Sequence, residues 1–440
     1  MTPPRVLVIG AGIVGLCVAW HRARGGAEVT VLDRDGPGEG ASSGNAGAIS
    51  AGSVAPLAMP GVLRQVPGML LDRKGALHIP ARAWPAALPW LWRFVLSAEP
   101  QRVQAIAEAL GVLLHGAEER HREILAAEGA LDLLREEGQL YLYRDEAQRQ
   151  KDEAAWALRR AHGLVMQELD RAGIEALEPG IAPAYQRGVF LPHQGHSLNP
   201  LRQARVVARG VERLGGRLLR GAASALTVEG RRVTGAMTGA GALEADHVVV
   251  AAGAWSARLL APLGLRVPLE SQRGYHLMLP EPGVMPRRVL VPADRKVFIT
   301  PMEEGLRVAG TVEFGGTEAP PNPARAALLM GDLAQVYPQA RLDGAKPHWM
   351  GHRPCLPDSL PVLGPVKGWE GLWCAFGHGH LGLTGSAPSG ALIAAAMLGP
   401  RPNADKSALG RGPRRGSWRG GFWCWRRRRR CSRPCRWRRC

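Results

Sequence analysis

The 440-residue sequence predicts an α/β protein in which a nucleotide-binding domain built on a parallel sheet joins a second, strand-rich domain. Three observations carry this expectation. A glycine-punctuated βαβ unit opens the chain, apolar strand runs recur near residues 245 and 371, and the stretch from Leu269 to Val312 reads as successive sheet strands.

Arg5–Gly10, "RVLVIG", is a short apolar run suited to a buried parallel strand. "AGIVGLCVAWHRARGG" continues as a helix closed by Gly25 and Gly26, and "AEVTVLD" supplies the next strand. Gly10, Gly12 and Gly15 stand between strand and helix as GxGxxG, which permits a tight turn, close approach to a pyrophosphate and close helix–strand packing. An anion there meets the free N–H groups and positive dipole end of the helix. Asp33 follows Gly15 by eighteen residues, placed to accept hydrogen bonds from a ribose. "ASSGNAG", Ala41–Gly47, holds nothing larger than Asn45 and no charge, as expected of backbone against which something flat and bulky lies.

Residues 101–175 alternate charged and apolar side chains at helical spacing, with the charges on a solvated face, and Gly138–Asp145 reads as a strand. "NPLRQARVVARGVERLGG" is a helix, and "RLLRGAASALTVEGRRVTGAMT" supplies strands. "ADHVVVAAGAWS" is a buried strand running into a glycine turn, returning the chain to the nucleotide domain. "LESQRGYHLML", "VLVPADRKVFITPM" and "LRVAGTVE" are strands of the second domain. Gly371–Gly399 then gives strand, turn and helix, with Gly377, Gly379, Gly382 and Gly385 ahead of the helix. Three separated segments thus present ligand-facing backbone.

Composition is that of an ordinary globular chain, 46% hydrophobic and 21% charged. The net charge of +18 is concentrated at the end, where Lys406–Cys440 holds fourteen Lys/Arg and no acid. Residue types from Ser407 onward match a GC-rich gene translated out of frame, so 406–440 is expected to be frameshifted or disordered. The alternative is an Arg- and Trp-rich segment binding nucleic acid or an anionic membrane. Cys17, Cys355 and Cys374 are too few and scattered for a disulfide framework, which fits a reducing cytoplasm. No stretch has the roughly 18–20 apolar residues of a membrane span. His378 and His380 lack acidic or Cys partners at metal spacing, so no metal site is expected.

"VLVIGAGIVGLCVAW", "SSGNAGAISAG", "VVVAAGAW", "GHRPCLPDSLPVLG" and "GHGHLGLTGSAPSG" stand in the order and spacing of the FAD-dependent amine and amino-acid oxidoreductases. Over residues 5–400 the chain resembles this D-amino-acid oxidase/dehydrogenase family, and most of all its bacterial D-amino-acid dehydrogenases. The resemblance implies a Rossmann-like FAD-binding domain of the glutathione-reductase-2 type, from 1–75, 190–265 and 345–405, and an antiparallel-sheet-rich substrate domain, from 76–189 and 266–344. It implies non-covalent FAD held by Val6, Leu7, Val8, Ile9, Gly10, Ala11, Gly12, Ile13, Val14 and Gly15, by Asp33 and Arg34, and by Ser42, Ser43, Asn45, Ala46 and Gly47. Further contacts are implied for Ala252 and Gly253, and for Gly377, His378, Gly379, His380, Leu381, Gly382 and Thr384.

Arg353 matches the family arginine that grips the substrate carboxylate, and Tyr275, with His276 beside it, is a candidate lid. The implied reaction is oxidative deamination of D-amino acids to 2-oxo acids by hydride transfer from the α-carbon to flavin N5, with a quinone or other acceptor taking the electrons. D-proline or D-hydroxyproline dehydrogenation, or oxygen-dependent oxidation, are alternatives. No nucleic-acid partner is expected of the body. Location is expected to be cytoplasmic, with peripheral membrane contact as an option.

Overall fold

The computed structural model describes residues 2–61, 75, 77–346 and 348–398, so the Arg-rich segment 406–440 lies outside the described residues. Arg5–Ile9 and Glu28–Asp33 pair in parallel, and the apolar alternation of the two strands is buried on both faces. They belong to a six-stranded sheet ordered Arg217–Arg220, Glu28–Asp33, Arg5–Ile9, His247–Val250, Leu372–Phe376, Val362–Pro365. The first five strands run parallel, and the last is an antiparallel edge. This is the doubly wound order, which leaves a crevice at the carboxyl ends of the central strands.

The GxGxxG turn is set by contacts that exclude a side chain. Gly10 has φ +116°, and a Cβ there would lie 2.4 Å from the Ala251 carbonyl oxygen on the neighbouring strand. A Cβ on Gly15 would lie 2.0 Å from the Gly10 carbonyl oxygen, so the Ile13–Arg24 helix rests directly on the turn. On its other side that helix packs against the helix Ser386–Met397, where a Cβ at Gly390 would meet the Cys17 backbone at 2.6 Å.

A second sheet covers the carboxyl-end crevice. Its main order is Trp349–Cys355, Glu270–Leu279, Gly305–Phe314, Phe298–Met302, Val289–Pro292, Gln139–Tyr143, Arg187–Leu191, Gln167–Leu169. Trp349–Cys355, within the 345–405 segment, therefore hydrogen-bonds into this larger sheet and not into the parallel one. The core beneath it joins Leu140, Leu277, Ile299 and Val308 to Leu329 and Leu333 of the helix Pro323–Val336. Between 101 and 175 the expected helices form at Pro100–Leu114, Ala117–Ala127, Glu146–Lys151, Glu153–Ala161 and Arg171–Leu177, around the strand Gln139–Tyr143.

Candidate functional site

One cavity of about 1320 Å³ runs from the glycine turn to the second sheet. Small-molecule pockets span roughly 300–1,000 Å³, so this one has room for more than a single small ligand. Its floor is the carboxyl end of the parallel sheet. Ile9, Gly10, Gly12, Ile13 and Val14 line it, as do Asp33, Arg34, Ser42, Asn45, Ala46, Ala252 and Gly253. From the last glycine segment come Gly377, His378, Gly379, His380, Leu381, Gly382 and Thr384.

Eight of the residues expected at the site do not line the cavity. Val6, Leu7 and Val8 stand within the strand, their side chains sealed between neighbouring strands and helices at 0–1% exposure. Ala11 and Gly15 underlie the turn, while Ser43, Gly47 and His276 are not among the residues that line the cavity.

The turn is organised around Asp33. Its Oδ2 accepts from the Ala11 N–H at 2.6 Å, and its Oδ1 from the Asp35 N–H at 2.8 Å. Ser42 Oγ accepts from the Ile13 N–H at 3.0 Å, closing the helix N-terminus with a hydroxyl. A dinucleotide fits this donor set. Added Cβ atoms at Gly40 and Gly253 would meet nothing within 4 Å, and one at Gly12 only Ser42 Oγ at 3.6 Å. Bare backbone therefore faces the cavity beside a helix N-terminus and a carboxylate.

The small residues of Ala41–Gly47 answer to protein neighbours as well. A Cβ on Gly44 would overlap the Trp349 indole, at 2.2 Å, and one on Gly47 would lie 2.8 Å from Met302 Cε. Asn45 Oδ1 accepts from the Gly47 N–H at 2.8 Å, making a turn. Arg307 holds the loop from behind, with Nη1 donating to the Asn45 carbonyl at 2.6 Å and to the Ser43 carbonyl at 3.2 Å. Burial lowers the Arg307 pKa to about 10. Nothing in the local pattern "GLRVAG" singles this arginine out. Its partners are over 260 residues away in sequence.

Arg353 lies at the opposite wall. Its Nη1 donates to the Thr311 carbonyl at 2.7 Å and its Nη2 to the Gly310 carbonyl at 3.3 Å. A β-bulge makes this seat. Arg273 pairs with Glu313 and Tyr275 with Gly310, so Gly274 alone opposes Thr311 and Val312, and Thr311 takes φ +61°. Gly274 leaves the necessary space, because a Cβ there would lie 2.1 Å from Arg353 Cζ. Burial lowers the Arg353 pKa, but a guanidinium remains charged near neutrality. The nearby acid Glu313 is already neutralised by Arg273, at 2.8 Å between almost fully buried side chains. Among the described residues Arg353 has no carboxylate partner.

Tyr275 and His276 are separated by strand alternation. Tyr275 is 1% exposed, and although it lines the cavity its hydroxyl donates to Glu313 Oε2 at 2.6 Å and accepts from the Asn322 N–H at 2.9 Å. Burial, then the Glu313 hydrogen bond, pushes its pKa up to about 12. His276 turns to the other face, stacks on Trp349 with ring centroids 5.0 Å apart, and donates from Nδ1 to the Gly44 carbonyl at 3.1 Å. The structure thus brings Arg353, Tyr275 and His380 to one cavity and leaves His276 outside it.

His378 bonds Ser389 Oγ through Nε2 at 2.9 Å, and burial lowers its pKa to about 4. His380 is exposed and lines the cavity. Desolvation, helped by the Arg353 charge, brings it down to about 3. Cys355 is buried, and burial raises its thiol to about 12.

A dinucleotide crevice covered by a sheet that presents an unpaired guanidinium defines a flavin-dependent oxidoreductase fold. The chain belongs to the DAO family of FAD dependent oxidoreductases, whose model matches residues 5–396. It is 37% identical over 403 residues to a D-amino-acid oxidase of Bradyrhizobium diazoefficiens, covering 90% of this chain and 96% of that one. It is 35% identical over 405 residues to a D-amino acid dehydrogenase of Xylella fastidiosa, covering 89% and 91%. The fold matches glycine oxidase from Bacillus cereus with a TM-score of 0.67 at 19% identity, over 90% of this chain and 95% of the other. L-proline dehydrogenase from P. horikoshii matches with 0.68 at 17%, over 90% and 93%.

Proposed function

We propose that the cavity takes a D-amino acid between Arg353 and the bound FAD, and that the chain deaminates it oxidatively to the 2-oxo acid and ammonia. The observation that carries this reading is Arg353, a half-buried guanidinium whose only partners among the described residues are two carbonyls. An unpaired buried charge is costly, and a carboxylate in bidentate contact compensates it. The names of the relatives supply the D configuration.

Arg353 fixes the carboxylate and so the orientation of the α-carbon, which converts a bimolecular encounter into a positioned one. His380 stands on a turn packed against the strand that carries Arg353. Neutral at physiological pH, it accepts a hydrogen bond from the substrate amine and leaves the amine lone pair free. Bound FAD supplies the two-electron acceptor for the hydride of the α-carbon. The imine formed from the amino acid then hydrolyses.

The finer parts of this reading are the domain division given above, FAD contacts from those expected residues that line the cavity, and a quinone or similar acceptor in a cytoplasmic, peripherally membrane-bound enzyme. The helix Trp84–Ser97 supports the last. It exposes Leu88, Trp92 and Leu96 at four-residue spacing while Trp84, Trp90 and Phe94 line the cavity. No helix among the described residues is long and apolar enough to cross a membrane. Oxygen use is the second reading, favoured by the oxidase name of the Bradyrhizobium relative.

Assay of ammonia and 2-oxo acid with D- and L-alanine and cis-4-hydroxy-D-proline, with and without a dye acceptor, tests all of this. D-specific turnover that needs the dye supports a dehydrogenase, and peroxide release without it an oxidase. Turnover of L-alanine alone overturns the assignment.

A further inference from the structure

Among the described residues three non-glycine residues have left-handed backbone, and all three line the cavity. They are Lys296 at φ 56°, Thr311 at φ 61° and Ser359 at φ 63°. Such conformations cost free energy that the surrounding fold must supply, and they concentrate at functional sites. Two of the three have a visible task. The Thr311 carbonyl seats Arg353, and Ser359 Oγ accepts from the Leu57 N–H at 3.3 Å.

The Lys296 side chain makes no hydrogen bond or ion pair with the described residues, its backbone N–H donates to the Pro292 carbonyl at 2.9 Å, and the residue lines the cavity. It ends the turn before the strand Phe298–Met302, with Val297 between them. Phe298 pairs with Ala309, which brings Val297 alongside Gly310 and leaves Lys296 at the end of the turn just before it. The close fit of Val297 to Gly310 fixes that placement, since a Cβ at 310 would lie 2.6 Å from Val297 Cγ1. The arm of Lys296 therefore starts one strand away from the carbonyls that hold Arg353.

The acid that faces Lys296 is Asp152, and its Oδ2 already accepts from the Tyr143 hydroxyl at 3.1 Å. Nearby, Arg159 lies over Trp156 at 4.6 Å with its buried Nε unpartnered. Trp156 in turn donates to the Tyr143 hydroxyl at 2.9 Å. Burial lowers the Lys296 pKa and Asp152 partly restores it. Lys151, Asp294 and Arg295 line the same end, but Asp294 is held by Arg144 at 2.6 Å and Arg295 by Asp332, which leaves Lys151, Arg159 and Lys296 against Asp152 and a net positive charge there.

We propose that Lys296 receives a second carboxylate, so that the preferred substrate is a D-amino acid with an acidic side chain, of the D-glutamate or D-aspartate kind. The inference rests on the D-amino-acid reading above and names its substrate class. A charge-assisted hydrogen bond of this type discriminates by about ten- to a hundredfold against an uncharged isostere.

The test compares kcat/KM for D-glutamate and D-glutamine in wild type, Lys296→Gln and Lys296→Arg holoenzymes of equal flavin content. Binding of glutarate and of butyrate is followed in parallel by the change in flavin absorbance. Wild type is expected to favour D-glutamate and glutarate at least tenfold, Lys296→Gln to lose both preferences, and Lys296→Arg to keep them. Equal use of D-glutamate and D-glutamine by wild type, or a preference that survives Lys296→Gln, overturns the proposal. If no D-amino acid is oxidised yet glutarate binding depends on Lys296, the anion site stands and the reading of the reaction falls. If D-amino acids are oxidised while glutarate binding ignores Lys296, the reaction stands and this inference falls.

Discussion

Gly274→Ala is expected to separate folding from function. The new Cβ would lie 2.1 Å from Arg353 Cζ, against about 3.5–4.0 Å for ordinary contact, so the guanidinium must move by more than 1 Å. The group that moves is the far end of a flexible side chain, and Gly274 itself has no left-handed backbone to lose. Stability should fall by less than about 1.5 kcal/mol, a Tm change of a few degrees. Displaced, Arg353 forfeits its bonds to the Thr311 and Gly310 carbonyls and no longer aims at the substrate carboxylate. Misplacement on this scale costs about a hundredfold. Steady-state assay with a D-amino acid should show kcat/KM down by about two orders of magnitude, with flavin content and Tm near wild type. Full activity in the variant would refute the seat assigned to Arg353, and so would an activity loss that merely tracks flavin loss.

Arg307→Met removes both hydrogen bonds to the 43–45 loop, and FAD affinity measured by flavin fluorescence should fall at least tenfold. Tyr275→Phe leaves Glu313 and the Asn322 N–H short of a partner. It should lower stability by about 1–3 kcal/mol while kcat changes less than threefold, the reverse of what a substrate lid would give. His121, His196, His276 and His378 are buried, with pKa values lowered to about 4, 4, 3 and 4, burial being the main cause. Below the ordinary imidazole pKa of about 6.5 the unfolded chain binds protons that these groups refuse. Their contribution is thus present above pH ~6.5 and is lost as pH falls toward 4, by of the order of 2 kcal/mol per residue. Glu118, raised to about 7 chiefly by burial, works weakly in the opposite sense. Denaturant midpoints across this range should fall steadily toward acid, and a flat profile would contradict the burial of these rings.

How much of this was legible in the sequence depended on whether local pattern or distant packing decides the feature. The GxGxxG turn, Asp33 and the glycine segment at 377–385 are local, and they appear where the pattern puts them. Val6, Leu7 and Val8 are part of the same motif, yet a parallel strand buried on both faces turns such side chains into the core. Tyr275 and His276 were adjacent candidates, although successive strand residues point to opposite faces, so one cavity receives only one of them. The bulge that seats Arg353, the space at Gly274 and the grip of Arg307 on the 43–45 loop all join residues far apart in the chain. The helix Trp84–Ser97 escaped notice because "WPAALPWLWRFVLS" is apolar almost throughout, with Pro85 and Pro89 inside it, and shows no helical alternation.

The most direct test is anaerobic mixing of the yellow holoenzyme with D- and L-forms of one amino acid, wild type beside Arg353→Met. The D-form should bleach the wild-type flavin fully and the L-form leave it oxidised, and Arg353→Met should need at least a hundredfold more D-amino acid. A flavin that no amino acid bleaches, or one that Arg353→Met lets bleach as readily as wild type, would contradict the account.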